Sequence, residues 1–80
     1  MNQSANLGAD EMREIDCRGM RCPLPIIRIA KEIQNISIGA EIILLSDDPA
    51  TEPDLAAWAR MRNQYAEVIG PAKYLVRKLS

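Results

Sequence analysis

The run Ala40–Ser46, written AEIILLS, constrains this chain more than any other stretch. Its apolar residues follow one another without alternation, over a length that suits a strand and falls far short of the ~20 residues of a membrane-crossing helix. A strand of this kind belongs inside a sheet, with neighbours on both sides. The chain has 80 residues, 48% of them hydrophobic and 26% charged, which is enough for one modest core. Trp58, Tyr65 and Tyr74 are the only aromatic residues, so Ile, Leu, Val and Ala must fill that core. Trp58 is expected to anchor it.

The flanking segments supply the neighbours. Residues 12–17 alternate, with Arg13, Ile15 and Cys17 on one side and Met12, Glu14 and Asp16 on the other, as in a short first strand. Gly19 supplies the following turn. Residues 23–35 place Ile26, Ile29, Ala30 and Ile33 at helical spacing, with Ile27 beside the stripe. Pro23 suits a first helical position and Pro25 the first turn, where a missing N–H costs little. Cys22 is thereby expected at the N-cap.

After AEIILLS, Asp47-Asp48-Pro49 breaks the strand. Thr51 and Asp54 have the spacing of a capping box with a short acid, opening a helix to about Asn63. Leu55, Trp58, Ala59 and either Met61 or Arg62 trace its inner edge. Residues 65–69 and 73–79 read as two strands joined by a tight turn at Gly70-Pro71. The order β-α-β-α-β-β predicts an α/β two-layer sandwich: a four-stranded mixed sheet with both helices on one face. Residues 1–11 read as a polar, flexible tail, without the basic start or apolar block of a secretory signal, and residues 12–80 as one domain. The expected compartment is the cytoplasm.

In a β-α-β unit the loops after the first two strands leave the sheet at one edge, where α/β proteins favour ligand and reaction sites. The segment CRGMRCPLP, residues 17–25, should therefore meet SDDPAT, residues 46–51. Cys22 at a helix N-terminus, beside Arg21 and with Arg18 three residues before that arginine, has surroundings that favour thiolate, whereas acids at Asp47 and Asp48 oppose it. The competing reading is a small, inert cap. Cys17 shares the face of Ile15 and reads as core filler, with a resolving thiol as the alternative. The chain contains no histidine, so a Cys–His nucleophile is excluded in cis, and two sulfurs fall short of a structural zinc site. No metal and no cofactor is expected.

Asp47 and Asp48 read as turn and cap residues or as an acidic pair. Lys73, Arg77 and Lys78 read as a solvated or edge-protecting set. Net charge is −1, with acids concentrated in residues 32–54 and bases on either side. A protein built to coat nucleic acid is usually basic, so direct nucleic-acid binding is not expected. Segmental charge suits a docking face, with Asp47, Asp48, Arg77 and Lys78 as its candidates.

The pattern Asp16-x-x-Gly19-x-x-Cys22-Pro23-x-Pro25, with Ser46-Asp47-Asp48-Pro49-Ala50-Thr51 and Tyr74-Leu75-Val76-Arg77-Lys78, resembles the TusA (SirA-like) family of small sulfur carriers. The resemblance runs from about Ile15 to Leu79. It implies the same β-α-β-α-β-β sandwich, with the last strand antiparallel to its neighbours. It also implies that Cys22 accepts a sulfane sulfur as a persulfide from a cysteine desulfurase or rhodanese-like donor and passes it to an acceptor protein. Family outlets are tRNA thiolation, molybdenum-cofactor metabolism and sulfur-oxidation relays. Arg18 and Arg21 would then give electrostatic support, and Asp16, Gly19, Pro23 and Pro25 the geometry. A carrier of this kind is expected to be a monomer that forms transient complexes. The alternatives are a non-catalytic RNA- or protein-binding module and a Cys17/Cys22 redox switch.

Overall fold

The structure, a computed structural model, describes residues 12–80; the tail expected over residues 1–11 lies outside the described residues. Strand β1 (Met12–Asp16) leads to helix α1 (Leu24–Glu32), which tightens into a 3₁₀ turn over Ile33–Asn35. Strand β2 (Glu41–Leu45), helix α2 (Thr51–Arg62) and strands β3 (Tyr65–Gly70) and β4 (Lys73–Arg77) follow. The sheet order is β1-β2-β4-β3. β1 and β2 are parallel, and β4 runs antiparallel to both β2 and β3. The expected two-layer α/β sandwich is the observed fold. Among the described residues, no helix is long and apolar enough to cross a membrane.

β2 is central, as its composition predicts, but only one of its faces is covered. Ile42 and Leu44 are fully buried against the helices, whereas Glu41, Ile43 and Leu45 are half-buried on the open face. Register extends the covered face across the sheet: Ile15 pairs with Leu44, Leu44 with Tyr74, and Ile42 with Val76. These side chains pack with Ile29, Ile33 and Leu55 from the helical layer. Each such side chain taken from water contributes about 1.5–3 kcal/mol before entropy is counted. Cys17 is part of this core, fully buried, and its N–H extends the β1–β2 pairing by donating to the Leu45 carbonyl at 2.7 Å.

α1 buries Pro25, Ile29 and Ile33, one turn apart, with Ile26 half-buried beside them. Ile27 stays half exposed. α2 buries Leu55 and Ala59 and half-buries Trp58. Met61 and Arg62 do not continue this inner edge: both are exposed, Met61 to 77%. Glu52 and Asp54 in the first turn of α2, and Arg60 and Arg62 in the last, complement the helix dipole. Asn63 ends α2 in the left-handed region at φ 59°, which its short polar side chain tolerates. The β3–β4 turn falls on Pro71-Ala72, one residue beyond the Gly70-Pro71 turn expected from sequence, because Gly70 still pairs with Lys73.

Candidate functional site

The loops after β1 and β2 do meet at one edge of the sheet, and the two aspartates of the second loop hold the first. The Gly19 N–H donates to Asp47 Oδ1 at 3.0 Å, and the Cys22 N–H donates to Asp48 Oδ2 at 2.8 Å. Asp48 also closes its own turn, its Oδ1 accepting from the Ala50 N–H at 3.0 Å and its carbonyl from the Thr51 N–H at 2.9 Å. Bonds from the Ala50 and Cys22 amides, together with the Arg21 charge, lower the Asp48 pKa. Gly19 has φ +86°, a conformation that glycine adopts without the steric cost of a Cβ. Gly19, Met20, Arg21, Asp47, Asp48 and Pro49 line an open cleft between the loops.

Cys22 is not the N-cap. The first helical bond of α1 runs from the Ile27 N–H to the Pro23 carbonyl, so Pro23 is the cap residue and Cys22 lies one position outside. The bond to Asp48 occupies the Cys22 amide and fixes the approach to the helix. The Cys22–Pro23 peptide is cis. Pro23 is exposed, whereas Pro25 is fully buried beneath the loop.

The thiol does not have the depressed pKa expected from its position. Burial pushes it up; a hydrogen bond with Thr51 pulls it down, and Asp54 and Asp48 raise it further. One residue beyond the helix start, the sulfur gains less from the dipole than it loses to desolvation and to these carboxylates. Arg18 is engaged elsewhere. Its guanidinium grips Asp16 in a fork, at 2.9 Å to Oδ1 and 2.8 Å to Oδ2, and its own N–H donates to Oδ1 at 3.0 Å. This pairing holds the Asp16 carboxyl at about 2. Arg21 is exposed at the cleft.

The other docking candidates divide. Asp47 and Asp48 lie at the cysteine loop, whereas Arg77 and Lys78 sit at the opposite end of the sheet. Arg77 pairs with Glu41 at 2.7 Å, at the start of β2, and stacks 5.1 Å from the Tyr65 ring centroid. The Lys78 ammonium donates to the Ile36 carbonyl at 2.9 Å. Lys73, which pairs with Leu45, is the basic residue of β4 nearest the cysteine edge.

Sequence reasoning assigns Thr51 to a capping box, and that assignment is overturned. α2 has no side-chain cap, because Asp48 takes over the turn, and Thr51 is already helical. Its hydroxyl, fully buried, lies 2.6 Å from Ser46 Oγ and 3.4 Å from Cys22 Sγ. Ser46 follows Ile42 and Leu44 at inward-facing positions, so a polar residue at the next inward position of an apolar strand was the available signal. Among the described residues, no group of three or more Cys, Asp or Glu is arranged to hold a metal ion.

Fold and site together define a small α/β domain that presents one half-buried cysteine at its loop edge and encloses a second in its core. The model of the family described as sulfurtransferase TusA matches residues 13–78, and the chain belongs to that family. Its role is that of a sulfur carrier or sulfurtransferase acting in sulfur relay with partner proteins.

Proposed function

We propose that the protein carries sulfane sulfur as a persulfide on Cys22. The observation that supports this most is the contrast between two thiols of one chain: Cys22 is partly accessible at the loop edge, and Cys17 is sealed in the core. In the loading step, the Cys22 thiolate attacks the outer sulfur of a donor persulfide. A new S–S bond forms, the donor's own S–S bond breaks, and its electron pair leaves on the donor cysteine as thiolate. In delivery, an acceptor thiolate attacks the same outer sulfur and Cys22 departs as thiolate. Neither step needs an external oxidant or reductant. Burial and the nearby acids push the Cys22 thiol pKa up, and the hydrogen bond with Thr51 works against them.

The donor is a cysteine desulfurase or a rhodanese-like protein, and the acceptor is a protein thiol in tRNA thiolation, molybdenum-cofactor or sulfur-oxidation chemistry. Residues 12–80 act as one unit, a cytoplasmic monomer with transient complexes. Gly19, Pro23, Pro25 and the Asp16–Arg18 pair shape the loop, Arg21 supplies positive charge at the cleft, and Asp47 and Asp48 fix its approach. The full burial of Cys17 disfavours a Cys17/Cys22 switch, because its sulfur reaches an oxidant only after the core opens.

Incubation with a cysteine desulfurase and cysteine, followed by peptide mass spectrometry, tests the proposal. Wild type and Cys17→Ala are expected to gain one reducible sulfur atom on the Cys22 peptide, and Cys22→Ala to gain none. An equal adduct on Cys22→Ala, or none on wild type, overturns it.

A further inference from the structure

We infer that the buried hydroxyl pair Ser46–Thr51 is a hydrogen-bond relay that donates to the Cys22 sulfur, with Thr51 as the direct donor. The inference rests on the reading of Cys22 as the sulfur-bearing residue and identifies what stabilises charge there. Ser46 and Thr51 are 1% and 0% exposed, at positions where apolar side chains would pack as well without a polar group to satisfy. Their oxygens are 2.6 Å apart, and Thr51 Oγ1 is 3.4 Å from Sγ.

Each hydroxyl has one hydrogen, and this decides the direction of the relay. Among the described residues, Thr51 is the hydrogen-bond partner of Ser46 Oγ. If Thr51 donated to Ser46, the Ser46 hydrogen would be buried without an acceptor, the costly arrangement in a protein interior. If Ser46 donates to Thr51 and Thr51 to sulfur, both hydrogens are used. The sulfur is then the acceptor, a role that a thiolate fills far better than a thiol. Placement supports this: Ser46 is fixed by the sheet, its N–H donating to the Ala72 carbonyl at 3.1 Å, and Thr51 by the first turn of α2. The donor is thus set before any charge develops.

Sγ carries negative charge before loading and regains it in delivery. Loading requires the attacking thiolate, and delivery returns the electron pair to Sγ when the S–S bond breaks. A fixed donor aimed at that atom raises the thiolate population available for loading and stabilises the leaving thiolate in delivery, as a preorganised dipole does in acyl transfer. Thr51 also lowers the thiol pKa against the upward push of burial, Asp54 and Asp48.

The test measures Cys22 alkylation by iodoacetamide against pH in the full chain, resolved by peptide mass spectrometry. Thr51→Val keeps the branched shape and removes the donor. It is expected to move the titration midpoint upward and to slow alkylation at neutral pH by about tenfold, the scale of a hydrogen bond to a charged group. Ser46→Ala moves the midpoint in the same direction by less, and Thr51→Ser restores it. An unchanged or lowered midpoint in folded Thr51→Val overturns the relay. Should Thr51→Val not fold, an unchanged midpoint in Ser46→Ala overturns it instead. The assay needs no sulfur donor. A shifted midpoint in a protein that never gains a persulfide would refute the carrier reading alone. A persulfide-bearing protein with no shift would refute the relay alone.

Discussion

Two cysteines five positions apart have different chemistry because their backbones belong to different structures. Cys17 extends β1 and points into the core, where burial raises its pKa. Cys22 belongs to a loop whose amide is held by an aspartate of the next loop. The Asp16–Arg18 pair illustrates the same local control. Its folded carboxyl titrates at about 2 against an ordinary 3.8, so the folded state binds its proton less readily than the unfolded state does. Its contribution to stability is therefore complete above pH 3.8 and is lost as pH falls toward 2. The pair is exposed, so the effect is small. Urea denaturation across that window should show a shallower loss of stability in Asp16→Asn than in wild type. Parallel curves would mean that the pair contributes nothing.

At the scale of elements, loop carboxylates and turn geometry set the site. Asp47 and Asp48 bind the β1–α1 loop through backbone amides, so their function needs an acceptor atom at a fixed place. The β3–β4 turn enters the same structure through the Ala72 carbonyl, which receives the Ser46 N–H. Ala72 sits at φ 55° after Pro71, in the turn position that usually favours glycine. Ala72→Gly should stabilise the protein by about 0.5–1 kcal/mol, because the left-handed conformation costs alanine more than the added unfolded-state freedom costs glycine. Chemical denaturation at neutral pH reads this change, and a destabilised variant would show that the Ala72 methyl packs usefully.

For the whole molecule, parallel β1 and β2 bring both loops to one edge, and the core beneath holds them there. Leu44 lies at the centre of that core, fully buried and paired with Ile15 and Tyr74. Leu44→Ala should cost about 2–5 kcal/mol, a large share of the stability of a domain this size. Cys17 reports on the loss directly. Its alkylation in Leu44→Ala should accelerate with the population of opened molecules, while Cys22, already accessible, changes far less. Equal acceleration of both thiols would show that Cys22 also waits for the core to open.

The sequence by itself determined the order of elements, the central place of AEIILLS and the separation of the two cysteines between core and loop edge. These follow from periodicity and from proline and glycine positions, which act within a few residues. It also pointed to the meeting of CRGMRCPLP with SDDPAT, since parallel topology leaves those loops no other edge. Tertiary structure alone decided which atoms meet there. The start of α1 moved past Cys22 because Asp48 holds the Cys22 amide; the thiol pKa rose because desolvation and carboxylates from α2 and its loop outweigh the helix end. Thr51 gave up a cap for the sulfur because Asp48 closes the turn and Ser46 lies within reach. The bonds that reach Cys22 join residues 26 and 29 positions apart, and the desolvation depends on burial; neither has a period that a sequence can display.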